Sequence, residues 1–96
     1  MRCDARVSLY LLPSSECGFL SDIPVGVFHG IIMFDDSRGY DFRTDIGVPF
    51  LPGSSRELAI AFLSPNDVSH ILCLGVSFNV WAGRIVGHGK ILRSFI

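Results

Sequence analysis

Residues 72–92 read LCLGVSFNVWAGRIVGHGKIL, and their pattern decides the fold. Leu72, Leu74, Val76, Phe78 and Val80 alternate with Cys73, Gly75, Ser77 and Asn79. A period of two sustained this long predicts a strand with one face buried. Trp81-Ala82-Gly83-Arg84 reads as a tight turn, and residues 84–92 as a second strand running back. Gly87 and Gly89 interrupt that return arm. Glycine inside a strand marks a bulge, a bend or close approach of another backbone. A hairpin with one clean arm and one glycine-bent arm suits a small barrel, whose strands must coil to close.

Upstream of the hairpin the same alphabet repeats. Ala5, Val7, Leu9 and Leu11 alternate with Arg6, Ser8 and Tyr10, predicting a first strand over residues 2–12. Pro13-Ser14-Ser15 ends it and opens a loop to Pro24, expected to be functional or folded over a barrel end. Residues 25–34 are almost wholly apolar and form a second strand, with Gly26 and Gly30 placed to bend it. A turn around Gly39 leads to a short strand over residues 40–44, and Asp45-Ile46-Gly47 is a further turn. Residues 48–51 make a brief strand or extended connection broken by Pro49, and Pro52-Gly53 is a turn. Residues 56–63 alternate again, with Leu58, Ile60 and Phe62 inward and Glu57, Ala59 and Ala61 outward. Ser64-Pro65-Asn66-Asp67 ends that strand and has room for one helical turn. Six or seven short strands without a helical repeat predict an all-β, closed antiparallel barrel spanning residues 1–96 as one domain.

Composition bounds the function. The 96 residues are 49% hydrophobic and 18% charged, with mean hydropathy +0.46, so the chain can bury a core and still present an apolar patch. Eight basic against nine acidic side chains give a net charge of −1, which excludes a globally basic nucleic-acid binder. Cys3, Cys17 and Cys73 form no C-x-x-C pair and are odd in number, the usage expected of free thiols in a reducing, cytoplasmic setting. Asp4 and the short apolar run beside it argue against a signal peptide, and no run is long enough for a membrane helix.

In order and spacing, these segments resemble the C-terminal β-barrel, the third domain, of elongation factor Tu and related translation GTPases. The resemblance is carried by Phe78-x-Val80, a turn, and then Gly83-Arg84-x-Val86-Gly87-x-Gly89-x-Ile91, similar to that family's closing G-R-x-V-G-x-G-x-V hairpin. Pro52-Gly53 before an alternating strand and Ser64-Pro65 after it match a second segment, and Ala5-x-Val7-x-Leu9 matches the opening strand. The resemblance implies a translation-factor-like barrel and a tRNA-facing role for Arg84. Asp35 and Asp36 stand where the family has an Arg-Thr pair, a change of sign that opposes phosphate contact. The 96 residues hold no GTPase domain, so the resemblance implies the fold and not tRNA delivery.

Four residues are the candidate contacts with a partner. Arg84, His88 and Lys90 fall at alternate positions with Val86 and are expected to share one strand face. An ordinary solvated face is the commoner explanation of such a stripe, and Val86 within it counts against an RNA site. Trp81 at a hairpin turn is expected to be exposed, as interface tryptophans are, or else to pack over the barrel end. Phe28, Phe34, Phe78 and Phe95 are expected in the core. His29, His70 and His88 have no metal-binding spacing, and Asp35, Asp36 and Asp41 lack the order of a calcium loop. Gly87-His88-Gly89-Lys90 lacks the first glycine and final hydroxyl of a phosphate loop, and no nucleophile motif occurs. The expected function is therefore a non-catalytic, cofactor-free module binding a protein partner, of inhibitor, immunity or recruitment type. RNA binding through Arg84 and Lys90 is the alternative, and the apolar run over residues 25–34 offers an edge at which two copies could pair.

Overall fold

The computed structural model describes residues 3–16, 18–35 and 38–96. Six strands form a closed barrel: β1 (Ala5–Leu11), β2 (Gly26–Met33), β3 (Gly39–Ile46), β4 (Ser55–Phe62), β5 (Ser77–Trp81) and β6 (Ile85–Ser94). Their order around the ring is β1-β4-β3-β2-β5-β6, every neighbour antiparallel. Alternation sets which side of each strand is inside. On β1, Ala5, Val7, Leu9 and Leu11 are buried while Arg6 and Tyr10 are exposed. On β3 the alternation is complete, with Tyr40, Phe42, Thr44 and Ile46 buried. Thr44 is tolerated inside because its hydroxyl donates to the Ala59 carbonyl at 2.7 Å.

Glycine and bulges let β6 close the ring. The β5–β6 ladder pairs Val80 with Gly87 but Trp81 with Ile85, so Val86 is an extra residue on β6. The β1–β6 ladder pairs Val7 with Ile91 but Arg6 with Arg93, so Leu92 is a second one. Each extra residue bends the strand and raises its twist. Between them, a Cβ at Gly89 would collide with the Phe78 ring and the Ser8 carbonyl oxygen.

Several boundaries depart from the sequence expectation. The clean alternation of residues 72–76 is not a strand. Gly75 sits at φ +84°, in the left-handed region, and turns the chain, so Leu74 is 81% exposed at a tip. Leu72 does reach the core, but from a loop that follows the short helix α1 (Pro65–Val68). β3 runs on to Ile46, through the expected turn at Asp45. Residues 48–51 contribute a single bridge, Phe50 to Ile23, because Pro49 cannot extend a ladder. Ala61, expected outward, is fully buried, and Phe95, expected in the core, is 46% exposed with the Arg93 guanidinium 5.0 Å from its ring centre.

The loop between β1 and β2 folds over one barrel end. It begins with a 3-10 turn, Ser14–Glu16. Phe19 then packs edge-on against Phe28, ring centres 6.0 Å apart, and Ile23 is buried. Cys17 and Asp36 lie outside the described residues.

Candidate partner-binding face

The outward side chains of four adjacent strands build one surface. Cross-strand register places Tyr10, His88, Asn79 and Met33 in a row across β1, β6, β5 and β2. The next row is Ser8, Lys90 and Ser77. Asp35, just past the end of β2, closes the same groove, which has a volume of about 380 Å³. Its floor includes Phe78 and Gly89.

Within this groove His88 is held in place. Its Nδ1–H donates to Asn79 Oδ1 at 2.6 Å, which leaves Nε2 as the ring's other polar atom. Lys90 is exposed beside it. Two basic groups, one carboxylate, a phenol, an amide and two hydroxyls make a mixed polar surface over an apolar floor. Such a surface can meet a protein of complementary groups, and Tyr and Met are enriched where proteins touch.

The structure does not bring Arg84 into that row. The extra residue at Val86 reverses the alternation, so Val86 and Gly87 are both buried and His88 and Lys90 face out. Arg84 precedes the bulge. Its Nη2 donates to the Gly18 carbonyl at 2.9 Å, tying the β5–β6 turn to the β1–β2 loop. The expected shared face of Arg84, His88 and Lys90 is thus corrected. A period of two holds only while the ladder is regular, and the glycines that signalled a bulge did not say which residue was extra.

Trp81 is 39% exposed and projects from the outer side of β5, two residues beyond Asn79. It lines a neighbouring cleft with His29, Ile31 and Asp41. The register puts Ile31 opposite both Trp81 and Asp41, so this cleft continues the face across β5, β2 and β3. Trp81, His88 and Lys90 therefore sit on one side of the barrel, in adjoining depressions.

Sequence reasoning missed Ser8, Tyr10, Met33 and Asn79. The outward set on β1 was visible as alternation, but its neighbour in space is β6, which the chain order does not reveal. Among the described residues, no group of three or more His, Cys, Asp or Glu side chains is placed to hold a metal ion, and Cys3 and Cys73 are free thiols. No described helix is long and apolar enough to cross a membrane. No protein-family model matches the chain, and no curated protein is significantly similar to it in sequence.

Proposed function

We propose that this barrel is a non-catalytic module that binds a protein partner through the outer face of β1, β6, β5 and β2. The observation that supports this reading most is the mixed character of that face: Lys90 and His88 alternate with hydroxyl, amide and carboxylate groups and adjoin Trp81, instead of forming a run of cations. A phosphate backbone asks for several cations in a line. Here Arg84 is turned to the Gly18 carbonyl, and Asp35 stands at the groove's edge. The partner's role, inhibitory or recruiting, follows from its identity. The likeness to the translation-factor barrel suggests that the partner is one that recognises such a barrel.

The alternative reading is an RNA-binding module, favoured by Lys90 and His88 side by side and by the resemblance of Arg84 to a tRNA-facing arginine. Affinity capture of the tagged protein from its own cell lysate, with half the sample treated with RNase, separates the two. The expected result is one protein, in stoichiometric amount, that persists after RNase. Recovery of RNA that RNase removes, with no persisting protein, replaces the first reading by the second.

A further inference from the structure

The barrel ring has an open edge. β2 pairs with β5 only through Ile31, Ile32 and Met33, because β5 ends at Trp81 and turns away. β2 itself begins at Gly26, so the side of residues 26–30 that faces away from β3 has no ladder. Among the described residues, no loop backbone bonds to that edge either. Phe19 covers its inner face through Phe28, but a side-chain contact does not satisfy backbone N–H and C=O groups.

We propose that two copies of this chain pair through this edge, β2 to β2, antiparallel about a two-fold axis at Phe28. The backbone groups on an open edge are met best by another extended strand. The sequence of the edge, Gly26-Val27-Phe28-His29-Gly30, is close to a palindrome. Antiparallel self-pairing sets Gly26 opposite Gly30, Phe28 opposite Phe28, and Val27 opposite His29, so no large side chain meets another across a mismatched gap. The usual protections of an edge are missing as well: residues 25–30 hold no Lys, Arg, Asp, Glu or Pro. A net charge of −1 per copy sets little repulsion against the pairing. Five paired residues are short for a stable dimer, but the exposed Val48, two residues past the Gly26–Ile46 pair, lies at the same barrel end and can extend the contact. This edge does not reach the groove over β1, β6 and β5, but it borders the Trp81 cleft, with which it shares His29.

Register makes the test specific. On β3, Asp45 stands beside Val27 and Arg43 beside His29. Val27→Lys therefore gains an acidic neighbour within its own chain and keeps the fold, while it puts a cation opposite His29 of the second copy. The double variant V27K/H29E gains two intrachain pairs and, in the proposed register, two Lys–Glu pairs across the dimer. Sedimentation velocity over a concentration series, with thermal melts to check folding, reads the outcome. The expected result is reversible dimerisation of the wild-type chain, association weakened about fivefold or more by Val27→Lys, and recovery in V27K/H29E. A wild-type chain that stays at 10.5 kDa at every concentration overturns the proposal. So does a folded Val27→Lys variant that associates like wild type, or a folded double variant that fails to recover.

Discussion

Asp4 shows how a single residue fastens two strands at the far end of the barrel. It is fully buried beside the start of β1. Its N–H donates to the Ile60 carbonyl, its carboxylate Oδ2 accepts from the Phe62 N–H at 2.8 Å, and its own carbonyl accepts from the Phe95 N–H. The side chain thus ties the end of β4 to β1, while the Asp4 backbone holds Ile60 and the Phe95 N–H just past β6. Asp4→Ala withdraws the acceptor of a buried N–H and is expected to cost about 2 kcal/mol, read as a lower urea midpoint with unchanged slope. A loss under about 0.5 kcal/mol would mean that the carboxylate carries none of this. Gly89 acts by absence. Gly89→Ala has no room beside Phe78 and the Ser8 carbonyl and is expected to lose about 2–3 kcal/mol. Gly47→Ala, at a site with nothing within 4 Å, should stay within about 0.5 kcal/mol of wild type. Equal melting of the two variants would show that the close approach at Gly89 is unimportant.

At the scale of elements, strands whose alternation was carried by a regular ladder were legible, and irregular ones were not. Ala5, Val7, Leu9 and Leu11 were read as one face and are all buried. Leu58, Ile60 and Phe62 behave likewise. Residues 72–76 alternate just as well, yet Gly75 turns them, because a glycine at positive φ is compatible with the same apolar spacing. The candidate site was half legible. His88 and Lys90 do lie together on the outer face, whereas the bulge at Val86 takes Arg84 off it. Arg84 instead joins two elements, the β5–β6 turn and the β1–β2 loop. Arg84→Ala is therefore expected to speed amide exchange across residues 18–22 while β1, β4 and β6 keep their protection. Uniform loss of protection, or none, would contradict a local tether.

For the whole molecule, charge and topology point the same way. Closure of six strands leaves a nearly neutral barrel whose depressions lie between outward side chains of neighbouring strands. A partner held by the mixed face of β1, β6, β5 and β2 is expected to keep most of its affinity as salt is raised from low to physiological concentration. Nucleic acid held by several phosphate contacts would lose it steeply. Titration of the captured partner at the two salt levels checks this. The most direct measurement of the central claim is a side-by-side capture from RNase-treated lysate, with the wild-type chain and with H88A/K90E as baits. Both substitutions are on exposed residues of β6, so the barrel should stay folded, as a thermal melt will confirm. The account predicts a protein retained by the wild-type bait and lost from the variant. A folded variant that retains the same protein in the same amount would contradict the assignment of this face.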